Sequence, residues 1–339
     1  MAQEIKPSEV SLAVIVAVPT LEAGEALSHC LDALARQSFA HFEVIVIDNS
    51  GRGIVKPMNR VRVIANERNV GFGAAVNQAF HASRAPFFAV LNDDAAPELG
   101  WLDALLVAME SSPGVGMCAS QIRLASDGRL DSAGMLLCAD GTSKQRGHLQ
   151  PPDRYKSREE TLCPSGCAAI YRREMLDEIG VFDESFFLYC EDTDLGLRAR
   201  WAAWECLYVP EAVVEHRYSH SAGKASGLKA YYVERNRLFL VVKNFPLADL
   251  LLAPFYSIAR YFWHLVFAMQ GRGKAAEFRL EGNRARNLPL YVLRAYFDLL
   301  AHLPALWKQR RHIKRRLTTR QFRGLIRRFS IGPREVAAL

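Results

Sequence analysis

The chain has 339 residues, enough for one large α/β domain with an appendage or for two domains. Half the residues are apolar and 23% are charged, an ordinary globular composition that speaks against a disordered or fibrous chain. The net charge of +7 conceals an asymmetry: residues 1–216 carry a net −11 and residues 217–339 a net +18. Such a split predicts a catalytic body followed by a basic segment with a different task. The seven cysteines are scattered and odd in number, and Met1–Glu9 is polar and acidic rather than leader-like. Reduced thiols in a cytosolic compartment are therefore expected.

In chain order, Val10–Val18 reads as an apolar strand ending at Pro19-Thr20, and Glu22–Arg36 has helical spacing. Phe42–Ile47 is a second buried strand, with Asp48-Asn49-Ser50-Gly51 at its tip, and Val61–Ala65 is a third. Asn69-Val70-Gly71-Phe72-Gly73 to Asn77 reads as a glycine-containing helix start. It suits either the approach of a phosphate to backbone N–H groups or tight packing of helix on sheet. Phe87–Leu91 is a fully apolar strand of the kind found inside a parallel sheet, and it delivers Asn92-Asp93-Asp94 to its carboxyl end. Oxygen ligands there suit Mg²⁺ or Mn²⁺, and a solvated turn capping the helix over Glu98–Glu110 is the other reading. Alternation of strand and helix predicts a parallel sheet in this half.

Val115–Ile122 and Arg129–Cys138 read as strands, and the polar, proline-containing stretch from Gly141 to Glu160 as a mobile loop. A small-residue loop from Cys163 to Cys167 leads into another strand. Then an aromatic run from Phe182 to Tyr189 delivers Glu191, Asp192 and Asp194 to the first turn of a helix. Three acids in four residues exceed the needs of a cap, and their repulsion should raise at least one pKa, as suits a general base. Cys206–Glu215 is the last strand, followed by His216 and His220, either of which could complete a metal site or meet a phosphate.

These pieces, over about residues 10–240, resemble a family 2 glycosyltransferase of the GT-A type, close to its bacterial rhamnosyltransferase-like branch. Pro19-Thr20 resembles the family's opening strand end, Asp48-Asn49-Ser50 its nucleotide-contacting turn, and Asn69-x-Gly71-x-Gly73 its glycine helix. Asn92-Asp93-Asp94 resembles its metal-binding turn and Glu191-Asp192 its catalytic acidic pair. Leu21-Glu22 stand where the family usually has Tyr-Asn, and the turn opens with Asn92, which leaves Asp94 as the principal metal ligand. The resemblance implies a Rossmann-like, mostly parallel sheet flanked by helices, in a nucleotide-sugar domain spanning 1–240. Thr20, Asp48, Asn69, Gly71 and Asp93 would then contact a nucleoside-diphosphate sugar, dTDP-rhamnose or a UDP-sugar. Asp94 and His216 would hold Mg²⁺ or Mn²⁺. Asp192, assisted by Glu191, would take the proton from an acceptor hydroxyl, with inversion.

Residues 241–339 read as a helical, basic extension. Phe245–Met269 is rich in Leu, Phe, Tyr and Trp but is broken by Asp249, Pro254, Arg260 and His264. Lys308–Arg328 contains ten Lys or Arg and no acid. Apolar helices beside a basic cluster predict attachment to an anionic cytoplasmic leaflet, close to a glycan or lipid-linked acceptor, with no nucleic-acid partner. The expected protein is an inverting glycosyltransferase of cell-surface polysaccharide synthesis, peripheral on the inner membrane face. A sugar nucleotidyltransferase and a membrane-associated scaffold that has kept the fold are the alternatives.

Overall fold

A computed structural model describes residues 12–58, 61–217, 227–273 and 287–339. Its centre is a mixed sheet. The amino-terminal strands are β1 (Val14–Thr20), β2 (Phe42–Asp48), β3 (Val61–Ala65) and β4 (Phe87–Leu91). They pair in parallel in the order β4-β1-β2-β3, as the alternating pattern predicts. β1 alternates strictly between two cores. Val14, Val16 and Val18 face one, while Ile15 and Ala17 face the other. Helices α1 (Glu25–Ala35) and α3 (Trp101–Glu110) cover the first face, and α2 (Phe72–His81) the second.

Beyond β4 the sheet turns mixed. A short β5 (Ala95–Pro97) follows the acidic turn, and β6 (Val115–Leu124) carries a hairpin strand, β7 (Leu130–Ser132). A separate two-stranded sheet pairs β8 (Met135–Leu137) with β9 (Ser143–Gln145). β10 (Glu159–Glu160), β11 (Ala168–Arg172) and, after α4 (Arg173–Ile179) and α5 (Glu191–Trp201), β12 (Glu205–His216) complete the main sheet. Its order is β10-β12-β6-β11-β4-β1-β2-β3, with β11 antiparallel to both neighbours.

The segment expected to be a mobile loop, 141–160, is instead packed against the sheet. The guanidinium of Arg146 sits 5.1 Å from the ring centroids of both Tyr155 and Tyr208, and it bonds the Ala133 carbonyl at 2.8 Å. Residues 141–148 are largely covered, whereas most of 151–159 is exposed and its polar side chains meet solvent.

The remaining elements are α6 (Gly227–Asn244), α7 (Leu247–Met269), α8 (Leu288–His312), α9 (Thr319–Arg328) and α10 (Pro333–Ala338). They share a core with the body, in which Phe186, Leu197 and Trp201 pack with Phe239, Leu306, Phe322 and Phe329. Trp201 stacks on Phe322 with ring centroids 3.7 Å apart, the kind of contact worth about 0.5–1.5 kcal/mol beyond burial. Part of the basic stretch is spent on the body: Arg310 bonds the Val242 carbonyl, Arg316 pairs with Glu178, and Arg328 with Glu160.

α7 is one unbroken 23-residue helix, long and apolar enough by length and composition to cross a membrane, with only 17% of its most apolar window buried. The charges that interrupt its sequence are turned inward, Asp249 to Arg323 at 2.7 Å and Arg260 to Asp140 and Glu234 at 2.6 and 2.9 Å. Its outer face is left to Leu251, Phe255, Ile258, Phe262 and Met269, and α8 exposes Leu290, Leu293, Phe297 and Leu300.

Candidate active site

One cavity of about 1060 Å³ opens at the carboxyl ends of β1 and β4, where open α/β sheets bind ligands. Thr20, Asn69, Gly71, Asp93, Asp94, Glu191, Asp192 and His216 all line it. His220 lies outside the described residues.

Strand pairing builds the first cluster. β5 runs antiparallel to β12 with His216 opposite Ala95, so the imidazole meets the residue just before that strand. Asp94 Oδ1 lies 3.2 Å from His216 Nε2, and the Arg217 N–H donates to the Asp94 carbonyl at 3.0 Å. β7, paired to the far end of β6, supplies Asp131, whose Oδ2 is 2.9 Å from His216 Nδ1. His148 Nδ1 stands 3.3 Å from the other Asp131 oxygen. Burial works against the Asp131 carboxylate, but hydrogen bonds from His148 and His216 hold its pKa at about 2. Thr20 donates to Asp93 Oδ2 at 2.5 Å, yet burial first and the neighbouring Asp94 second raise the Asp93 pKa to about 6. A buried imidazole bracketed by two carboxylates, with a further acid alongside, is a place that demands positive charge.

The donor set fits a divalent ion. The 3.2 Å between Asp94 Oδ1 and His216 Nε2 is close to the roughly 3.0 Å that separates adjacent ligands of an octahedral ion at about 2.1 Å. Among the described residues no three His, Cys, Asp or Glu form a cage. Mg²⁺ and Mn²⁺ sites that share a substrate's phosphates need only one or two protein ligands.

The second cluster is the amino-terminal turn of α5. Glu191 and Asp192 are both buried. Asp192 accepts from the Gly166 N–H at 2.9 Å and from the Thr193 N–H at 2.6 Å, and burial raises its pKa against those bonds. Glu191 Oε2 is buried with no hydrogen-bond partner among the described residues. Burial, then the Asp192 charge, push its pKa to about 8. The third acid differs. Asp194 bonds Arg198 at 2.8 Å, Lys243 at 2.9 Å and Asn244 at 2.8 Å. Although burial opposes its charge, these partners hold its pKa at about 2. The repulsion expected among three acids therefore registers on Glu191, which feels both Asp192 and Asp194.

The turn is approached through strained backbone: Phe187, Tyr189 and Cys190, none of them glycine, have φ of 62°, 69° and 68°. The clamp that enforces this comes from α6. Asn236 Nδ2 reaches the carbonyls of Phe186, Leu188 and Tyr189 at 2.7–2.8 Å, and Arg235 reaches those of Ser185 and Phe186 at 2.8 Å.

Two readings of the donor side need correction. Asp48 does not line the cavity. Its carboxylate is turned into its own loop, accepting from Ser50 and from the Val55 N–H, and Asn49 takes the cavity wall instead. Asn49 in turn donates to Asn69 at 2.9 Å. The glycine helix lines the cavity at Gly71 and also packs against the acidic loop. A Cβ on Gly71, at φ +91°, would fall 2.5 Å from the Phe187 carbonyl oxygen, and that carbonyl already takes the Phe72 N–H at 2.7 Å. The first free N–H of the helix is thus committed to the acidic loop rather than left for a phosphate.

Asp131 and the wall formed by Lys144, Lys229, Arg260 and His264 escaped the sequence reading. Their places depend on pairings and helix packing between residues far apart in the chain.

Comparison with known proteins agrees with this architecture. The model of the family described as "Glycosyl transferase family 2" matches residues 15–180. An N-acetylglucosaminyl-diphospho-decaprenol L-rhamnosyltransferase of Mycobacterium tuberculosis is 31% identical over 248 residues, which cover 64% of this chain and 80% of that protein. An uncharacterized protein of Sinorhizobium fredii is 30% identical over 238 residues, and the match spans about a quarter (26%) of its length. Among solved structures, GalNAc-T7 with UDP, GalNAc and Mn²⁺ superposes with a TM-score of 0.58 at 14% identity, covering 87% of this chain and 59% of that one. S. aureus TarS 1-349 superposes with a TM-score of 0.50 at 15% identity, covering 87% and 92%. These structural likenesses are likenesses of fold. With the sheet, the acidic turn and the family match in agreement, the chain belongs to glycosyltransferase family 2.

Proposed function

We propose that this glycosyltransferase moves a sugar from a nucleoside-diphosphate donor to a hydroxyl of a lipid-linked glycan, with inversion, at the cytoplasmic membrane surface. The observation that carries this reading is the meeting, in one cavity, of the Asp94–His216 pair with an acid turn whose charges are unbalanced. The relationship to the M. tuberculosis rhamnosyltransferase makes dTDP-rhamnose the first donor to try and a diphospholipid-linked sugar the first acceptor, with UDP-sugars next.

In this reading Asp93, held by Thr20, and the Asn49–Asn69 pair border the nucleotide. Asp94 and His216 hold Mg²⁺ or Mn²⁺, the nitrogen ligand favouring Mn²⁺. Such an ion would neutralise charge on the departing diphosphate. Asp192 is the base. Its hydrogen bonds from the Gly166 and Thr193 N–H groups fix its orientation, and burial raises its pKa, the direction that suits a proton acceptor. The acceptor hydroxyl loses its proton to Asp192 as its oxygen attacks the anomeric carbon from the face opposite the nucleotide. Glu191, largely protonated, stands beside Asp192 without adding a second full charge.

Residues 1–240 would hold the donor site. Residues 241–339 would present the outward apolar faces of α7 and α8 to the membrane, with exposed basic residues toward anionic headgroups. The test is transfer from dTDP-rhamnose or UDP-sugars to a prenyl-diphosphate-linked GlcNAc in the presence of Mn²⁺. Product formation that Asp192→Asn abolishes, with nucleotide binding retained, supports the reading. Transfer that survives Asp192→Asn removes Asp192 as the base.

A further inference from the structure

We infer that the cleft between α7 and α8 is the seat of the acceptor's isoprenoid chain, and that the diphosphate joining chain to sugar lies against Lys144 and Lys229. This rests on the reading of the acceptor as lipid-linked, and it adds a location and a set of residues.

The cavity that holds Asp192 does not end at the catalytic turn. It continues along α7, where the lining changes from Arg260 to Leu265 and Ala268, a distance of about 12 Å at the rise of a helix. Across the gap α8 contributes Leu288, Val292 and Leu293. α8 packs along α6 and α10 along α7, which braces both helices, and Val336 of α10 joins Leu265, Ala268, Leu288, Val292 and Leu293 in the lining. At the mouth, Leu265 is 60% and Leu293 54% exposed, continuous with the apolar outer faces of both helices. Exposed apolar surface of this extent on a monomer marks a binding site.

Between the acids and the apolar walls the lining carries cationic side chains: Lys144 on β9, Lys229 on α6, and Arg260, which is ion-paired with Asp140 and Glu234. Lys229 lies 5.5 Å over the ring of Tyr189, two residues before the catalytic pair. The cavity therefore presents carboxylates, then cations, then hydrocarbon. A sugar carried on an isoprenoid diphosphate presents a hydroxyl, an anion and a hydrocarbon chain in the same order.

The experiment compares binding of farnesyl diphosphate and inorganic pyrophosphate to the full chain, by calorimetry below the lipid's aggregation limit. Three variants are measured alongside. Ala268→Trp fills the half-buried cleft, Lys229→Gln removes one cation, and Phe255→Ser alters the exposed outer face away from the cleft. Wild-type protein should bind farnesyl diphosphate at least tenfold more tightly than pyrophosphate. Ala268→Trp should erase that difference and leave pyrophosphate binding as it was. Lys229→Gln should weaken both ligands, and Phe255→Ser neither. Equal affinity for the two ligands, or a chain advantage that survives Ala268→Trp, overturns the inference, and loss of it in Phe255→Ser alone assigns the binding to the outer face instead. Titration with dTDP and UDP in Mn²⁺ tests the donor site separately, so a failure there leaves the result on the cleft readable.

Discussion

Two sets of acids in this molecule have opposite electrostatics. Asp140, Asp194 and Glu234 are each matched by arginine or lysine, and pairing overcomes burial to hold every one of their pKa values at about 2. On the cavity wall, half-buried Asp93 and buried Glu191 have no matching cation among the described residues, and burial raises them to about 6 and about 8. Burial is common to both sets, so the presence of a partner separates an acid that holds the fold from one kept for a ligand or a proton. Asp194 and Glu191 make the point within one helical turn.

The sharpest way to break the comparison is to remove a paired acid. Asp194→Asn leaves Lys243 and Arg198 buried with less than their charge and should cost about 3–5 kcal/mol, read as a lower urea midpoint. The sign with pH follows from its depressed pKa. The stabilisation is complete above about pH 4 and is lost as pH falls through about 2. Removing an acid that is held by hydrogen bonds without an ion-pair partner among the described residues should act on the reaction rather than the fold. Asp192→Asn should leave the urea midpoint near wild type and slow transfer by about 10²–10⁴-fold.

Smaller changes sharpen the picture. Asn236→Ala releases the carbonyls of the strained loop and should lower kcat by up to about 10²-fold while donor binding holds, since the base is displaced rather than removed. Asp131→Asn loosens His216 and should weaken Mn²⁺ binding by about 10–100-fold, measured by electron paramagnetic resonance of the free ion. Glu191→Gln should act on the pH profile of stability. A carboxyl raised to about 8 makes the fold progressively less stable as pH climbs from about 4.5 to 8, and the variant's unfolding midpoint should flatten across that window.

Much of this was legible in the sequence where chemistry is local. The strand β4 is apolar at every position, and β1 and β2 are mostly so, because both faces of a parallel sheet are covered, and acids at their ends stand out against that background. The acid turn of α5 was visible for the same reason. What stayed hidden depends on distant pairing. Asp131 reaches His216 only because β7 and β12 both pair with β6, and β5 is three residues long, too short to carry a pattern. Asp48 looked like a ligand because a carboxylate at a strand tip does not reveal that its own loop will turn back and use it. The charges within α7 read as interruptions of an apolar stretch until packing turned them toward Asp140, Glu234 and Arg323.

The central claim is that Asp94, with His216 beside it at the carboxyl end of β4, holds a divalent ion for the nucleotide. Calorimetric titration of wild type and Asp94→Asn with dTDP and UDP, each with and without Mn²⁺, tests it in one series. The account predicts that Mn²⁺ tightens nucleotide binding to wild type at least tenfold and that Asp94→Asn loses this gain with its fold intact. Nucleotide affinity indifferent to Mn²⁺, or a gain that persists in Asp94→Asn, would contradict it.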